Sequence, residues 1–304
     1  MKNLKKTISV LFAALLFINS ANAQEPAKST ISIEHLTPEI CKVKFANGPV
    51  NVIIPETISS LNETVKELSK DERIKVVIFS SDVAGYFYNH FDLGQFPNFV
   101  KQTGADGKPL WVELVTNLAK APFITIASIR GRTQGGGDEL ALAFDLRYAS
   151  KELAVFNQPE VGVGLFPGGG STNQLPRLTG RDRALEILIS ADDYTADVAE
   201  RYGWITRAIP DNQLDSFVLG LARRIATFDK TALITVKQQI NATASPTESE
   251  ILNSQIEFQK SLSWPGLYLR IPVLGKMLND VGPLKVEKNM GYYIGEANKQ
   301  LQKK

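Results

Sequence analysis

Three consecutive glycines, Gly135-Gly136-Gly137, stand between a β-branched apolar run, Phe123-Ile124-Thr125-Ile126-Ala127-Ser128-Ile129, and the short apolar stretch Leu140-Ala141-Leu142-Ala143. A strand that ends in glycine and reopens as a helix leaves backbone N–H groups at the positive end of the helix dipole, with no side chains in the way. Such a turn can hold a negative oxygen that develops during a reaction. The run lacks the Gly-Lys-Ser/Thr ending of a Walker loop and the G-x-G-x-x-G spacing of a dinucleotide-binding turn. A tight strand-to-helix turn that binds nothing uses the same residues, so the surrounding sequence has to decide.

Upstream, Ile40 to Phe45 alternate apolar and polar side chains as a half-buried strand does. Ile58, Leu61, Val65 and Leu68 follow Pro55 at helical spacing. Lys75 to Ser80 reads as a buried strand, and Leu110, Leu114 and Leu118 mark a second helix that stops before Pro122. Strands alternating with helices predict an α/β architecture with mostly parallel pairing. From Asp211 the character changes. Leu214, Phe217, Val218, Leu221 and Ile225 form a helical stripe, and Thr247-Glu248-Ser249-Glu250 is a capping-box pattern. Residues 211–304 are therefore expected to be a helical, oligomer-forming region on a core of residues 24–210, broken into short pieces at Pro265, Pro272 and Pro283.

The chain opens Met-Lys-Asn-Leu-Lys-Lys, runs through apolar residues from Ile8 to Ile18 and reaches Ala21-Asn22-Ala23. That is the pattern of a secretory signal peptide over residues 1–23, too short to span a bilayer. An exported protein, periplasmic or secreted, is the expectation. Cleavage removes three of the 34 basic residues and no acids, so 34 less 3 leaves 31 basic against 32 acidic residues. A near-neutral balance with both signs dispersed points away from nucleic acid and from a charged membrane surface. The single cysteine, Cys41, can form no internal disulfide and contributes to no metal set. It reads as a small strand residue.

Between Phe123 and Pro210 the sequence resembles the enoyl-CoA hydratase/isomerase (crotonase) superfamily. The resemblance lies in the Gly-Gly-Gly-Asp-Glu-Leu-Ala-Leu-Ala block, then Asn157-Gln158-Pro159-Glu160-Val161-Gly162, Pro167-Gly168-Gly169-Gly170-Ser171-Thr172 and Leu175-Pro176-Arg177-Leu178-Thr179-Gly180. Arg183-Ala184-Leu185-Glu186 and Ala199 to Ile205 continue the order. It implies a spiral core of ββα turns, C-terminal helices, and assembly as a trimer or a hexamer built of two trimers. It also implies backbone N–H donors at Phe91 and Gly136 forming an oxyanion hole, and catalytic roles for Glu139 and Glu160. Gly168 falls where the family has a backbone N–H near the reacting water, and Asn89 is placed beside it as a binding residue.

Taken alone, Glu139 and Glu160 would be surface acids, as most carboxylates are. The chemistry implied by the resemblance needs both. Addition of water across a conjugated double bond calls for a base toward the water and an acid toward the α-carbon. Two neighbouring carboxylates push one pKa up, so that one can keep its proton. By the resemblance, Glu139 activates the water and Glu160 exchanges the α-proton. Isomerases of the family can work with one such residue, so the pair favours hydration. No metal set and no nucleotide loop occurs, so no cofactor is implied other than coenzyme A carried as part of the substrate.

The chain departs from the family at Phe87-Tyr88-Asn89-His90-Phe91-Asp92, where small residues normally make room for coenzyme A. A backbone donor at Phe91 survives the change. His90 reads as a loop residue hydrogen-bonded locally, in preference to a catalytic one, and Asp92 as the cap of a following turn. Asp138 fills a position that is usually small or thiol-bearing. Coenzyme A thioesters are also cytosolic metabolites, in tension with export. A hydrolase or C–C bond-cleaving enzyme on a non-CoA substrate therefore stays open, as does a non-catalytic binding protein of the same fold.

Overall fold

The computed structural model describes residues 30–302. The leader expected at 1–23 lies outside these residues. Nine strands are described: β1 (Thr30–Thr37), β2 (Ile40–Ala46), β3 (Val76–Ser81), β4 (Ile124–Ile129), β5 (Arg132–Gln134), β6 (Leu146–Ser150), β7 (Val155–Asn157), β8 (Tyr194–Thr195) and β9 (Arg207–Ile209). One sheet runs β1-β2-β3-β4-β6-β9, parallel except for the β1–β2 hairpin. A smaller sheet, β5-β7-β8, holds the strands that lead away from the first. This is the mixed α/β architecture, with mostly parallel pairing, expected from the alternation of strands and helices.

Period-two alternation sorts the side chains of the large sheet. Cys41, Val43, Phe45, Val77, Phe79, Ala127 and Ile129 face the core formed with the helices Pro55–Leu68 and Leu110–Lys120. Ile40, Val76, Ile78 and Ile126 face the other way, against Leu214, Val218 and Ala222 of the helix Asp211–Ala226. Each large apolar side chain buried in this way stabilises by about 1.5–3 kcal/mol relative to exposure. Cys41 is sealed within β2, fully buried.

The expected helical stripe from Leu214 to Ile225 and the capping box at Thr247 are both present, with Thr247 N–H donating to Glu250 at 2.7 Å. Pro265 and Pro283 sit in the first turns of their helices, where a missing N–H costs nothing. Pro272 does not break the chain as expected: it lies inside the continuous helix Pro265–Val281. One lost backbone bond there is outweighed by the packing of Leu267, Ile271, Val273 and Met277, all buried.

The helix Lys230–Ala244 is fastened to the core by an unusual bolt. Lys237 is buried, and its Nζ donates to the Leu118 carbonyl at 3.0 Å, the Phe123 carbonyl at 2.9 Å and Asp145 at 2.8 Å. The helices after it return to the core, so Gln255, Phe258 and Met290 become part of the pocket described next.

Candidate active site

Strand β4 delivers the chain to Gly131, and β5 carries it to Gly135, which takes φ 50° and ψ −127°. Only glycine adopts that conformation without strain. A Cβ there would also stand 2.6 Å from the Glu160 carboxylate. The helix Gly136–Ala143 then begins, and its first intrahelical bond runs from Glu139 N–H to the Gly135 carbonyl at 2.9 Å. The N–H groups of its first turn have no helical acceptor. Gly137 lets this turn lie against another backbone: a Cβ would meet the Tyr88 carbonyl oxygen at 2.0 Å.

That second backbone carries the other donor. Ile53 and Phe91 form a parallel bridge, in which Ile53 N–H donates to the His90 carbonyl at 2.9 Å and Asp92 N–H to the Ile53 carbonyl at 2.8 Å. The two bonds straddle Phe91 and turn its own N–H away from Ile53. Among the described residues no acceptor takes it. Asp92 caps the following turn as expected, accepting from Gly94 N–H at 2.9 Å.

Phe91 and Gly136 line one pocket of about 140 Å³ together with Glu139, Glu160 and Gly168. Its remaining walls are largely apolar, with Phe258 and Met290 supplied by the helical region. Glu139 is 1% exposed, not the surface acid its position alone suggests. Burial pushes its carboxyl up, while the Ser171 hydroxyl at 2.9 Å and N–H at 3.2 Å, with the N–H groups of Gly169 and Gly170, pull it back. Glu160 stands well above the ordinary carboxylate range, through burial first and then the charge of Glu139. Its Oε2 is buried with no hydrogen-bond partner among the described residues. Both carboxyls are thus raised, Glu160 the further of the two, because Glu139 has hydrogen-bond donors that Glu160 lacks.

Asn89 departs from expectation. It is fully buried, donating to the Val50 carbonyl at 2.9 Å and to Glu287 at 3.1 Å while accepting from Gln134 at 2.9 Å. With its amide spent on protein, it lies behind the pocket wall and offers nothing to a ligand. His90 also departs. One ring nitrogen bonds locally to the Phe91 carbonyl at 2.9 Å, but Nε2 faces Glu287 at 2.9 Å, across 197 residues of chain. Sequence reasoning missed Glu287, Phe258 and Met290, which no local motif announces. Ser171 carried a signal, lying two residues beyond Gly169 in the second glycine run.

Asp138 sits behind the pair. Burial raises its carboxyl to about 8, although Gln158 at 2.6 Å and Trp204 at 3.1 Å both donate to it. Among the described residues no cluster of His, Cys, Asp or Glu is arranged to hold a metal, and no helix is long and apolar enough to cross a membrane.

The sequence profile of the enoyl-CoA hydratase/isomerase family matches residues 36–263. This chain belongs to that family. A crotonyl-CoA hydratase from Syntrophomonas wolfei is 30% identical over 205 residues, covering 66% of this chain and 77% of that protein. A Streptomyces avermitilis protein, provisionally named as an enoyl-CoA hydratase, has a crystal structure that superimposes with a TM-score of 0.80 at 35% identity. The superposition covers 90% of this chain and 99% of that one. A Geobacillus kaustophilus enoyl-CoA hydratase structure matches at 25% identity with a TM-score of 0.65, over 82% of this chain and 95% of the other. Membership of the enoyl-CoA hydratase/isomerase family accounts for the order of glycine runs and glutamates around the pocket.

Proposed function

We propose that this protein hydrates the C2=C3 bond of a 2-enoyl thioester through an enolate held by the backbone N–H groups of Phe91 and Gly136. The observation that carries the reading is the convergence of buried Glu139, half-buried Glu160 with its covered Oε2, and two unclaimed N–H donors on one apolar pocket. Glu139 is the better-stabilised anion and takes a proton from the attacking water, with the Gly168 backbone alongside. As the water oxygen bonds to C3, the C2=C3 electron pair moves onto the thioester carbonyl oxygen. Collapse of that enolate takes the proton of Glu160 onto C2. Each N–H donor aimed at the oxygen is worth about 10²–10³ in rate, and each proton-transfer group about 10²–10⁴.

The relatives carry names of hydratases acting on CoA thioesters, and on that ground coenzyme A is inferred as part of the substrate, not as a cofactor. The pattern of residues 1–23 supports an exported enzyme. Val236 and Ile240, one turn apart and 58% and 56% exposed, support burial of the helix Lys230–Ala244 against another copy in a trimer or hexamer. One observation favours a second reading, a hydrolase or C–C bond-cleaving enzyme on a non-CoA substrate. Asn89 and His90, in the segment where the resemblance implies small residues, are hydrogen-bonded to Glu287.

Turnover of a short trans-2-enoyl-CoA tests the proposal, with Glu139→Gln and Glu160→Gln in parallel. The expected outcome is hydration by the unaltered protein and a loss of about 10²–10⁴ in each variant. Full activity in both variants would refute the division of roles. A folded protein that neither turns over nor is thermally stabilised by coenzyme A would move the assignment to the second reading.

A further inference from the structure

We propose that His90 and Glu287 are a positioning pair through which the C-terminal helices hold the first oxyanion donor, Phe91 N–H, in place. Three groups of the peptides around Phe91 are tied down. The His90 carbonyl and the Asp92 N–H are fixed by Ile53, and the Phe91 carbonyl accepts from His90 Nδ1. The first two bonds come from the core. The third depends on the imidazole, and the imidazole depends on Glu287, whose other oxygen accepts from buried Asn89. Both ring nitrogens face acceptors, a carbonyl and a carboxylate, so both carry protons and the ring is a cation.

The surroundings agree. Burial works to lower His90, but the charge and hydrogen bond of Glu287, the Phe91 carbonyl and Asp92 outweigh it and hold the imidazole at about 9. Burial likewise works against the charge of Glu287, and His90, Asn89 and Arg132 more than offset it. The groups that face the pair are Asp92 and Glu160 toward His90, and Arg132 and Tyr86 toward Glu287. The positive ring therefore stands beside both the donor at Phe91 and the proton on Glu160. His90 also lines the pocket, but with both ring N–H groups engaged it has no polar hydrogen left for a ligand and acts on the reaction through these neighbours.

The same short segment is clamped at further points. Arg132 donates to the Lys288 carbonyl and forms a two-pronged pair with Asp193 at 3.1 and 2.8 Å. Gly291 packs so closely that a Cβ would lie 2.7 Å from Asp193 N. Met290, a wall of the pocket, lies between these fixed points. Docking of the C-terminal region thus sets a pocket wall and the oxyanion donor together.

The inference rests on the hydration reading for its kinetic consequence, but its first test does not need activity. The chain has two histidines, His35 and His90, so one substitution assigns the imidazole signals in an NMR titration. In the unaltered protein the His90 ring is expected to titrate near 9 and the Phe91 amide resonance to move with it. In Glu287→Gln the ring should titrate at least tenfold more readily, at least one pH unit lower, with the Phe91 amide already displaced at neutral pH. Kinetically, His90→Gln and Glu287→Gln should each lower kcat about 10-fold or more at little change in KM, with Glu287→Asp recovering part of it. The double variant should be no worse than the poorer single one. A Phe91 amide that ignores the titration, an unshifted ring in Glu287→Gln, or losses that multiply in the double variant would each overturn the pair. Absence of turnover in the unaltered protein sinks the hydration reading instead and leaves the NMR outcome to decide this one.

Discussion

Ser171 gives both its hydroxyl, at 2.9 Å, and its backbone N–H, at 3.2 Å, to the same oxygen of Glu139. A buried carboxylate survives as an anion only when donors replace lost water, and these two are the nearest replacement. Ser171→Ala removes one and leaves the other. The Glu139 carboxyl should then rise further, so the acid limb of the kcat/KM profile moves to higher pH, with activity at neutral pH down about 10-fold. A pH–rate profile that keeps its acid limb would show that Ser171 does not hold the charge.

Gly137 is set so close to the neighbouring strand that a Cβ would press on the Tyr88 and Asn89 carbonyl oxygens at 2.0 and 2.3 Å. Both contacts are backbone, so neither can swing aside. Gly137→Ala is expected to cost about 1–3 kcal/mol, the usual scale of overpacking, and to separate the two donor strands. Urea unfolding would report the first effect and loss of turnover the second. An alanine variant of unchanged stability would contradict the close approach.

Asp138 makes folding depend on pH in a direction that can be stated. Its folded carboxyl lies near 8, above the ordinary 3.8, so the stability it contributes is present below about 4 and is lost as pH rises through 8. Asparagine carries no such charge. Between pH 5 and pH 9 the stability of Asp138→Asn should therefore gain on the parent by about 1–3 kcal/mol, below the full linkage value because a buried site relaxes. Thermal melts at the two pH values would measure it. A constant difference between the proteins would mean that Asp138 is ionised throughout.

Much of the core could be read from spacing. The alternation in β2, the helical stripe after Pro55 and the glycine run after β5 each depend on local chemistry, and each is found where the residues place it. The convergence of Glu139 and Glu160 on one pocket was also legible, through the resemblance and not through either residue alone. Asn89 was not. Its side chain satisfies three partners, from Val50, Gln134 and Glu287, and no spacing rule connects those positions. The local bond of His90 was legible, but its second partner, Glu287, was not, since it is brought close only by the return of the C-terminal helices. Pro272 shows the remaining weakness: a single breaker was given more weight than the apolar stripe on both sides of it.

Cys41 carries a quieter consequence. It is the one sulfhydryl in the chain, it lies at zero exposure inside β2, and burial raises its thiol so that the reactive thiolate is scarce. Thiol–disulfide exchange has nothing to act on while the protein is folded. Neither a reducing nor an oxidising surrounding should alter its covalent state, and the fold draws no strength from cross-links. Redox indifference of this kind leaves the same structure serviceable on either side of a membrane.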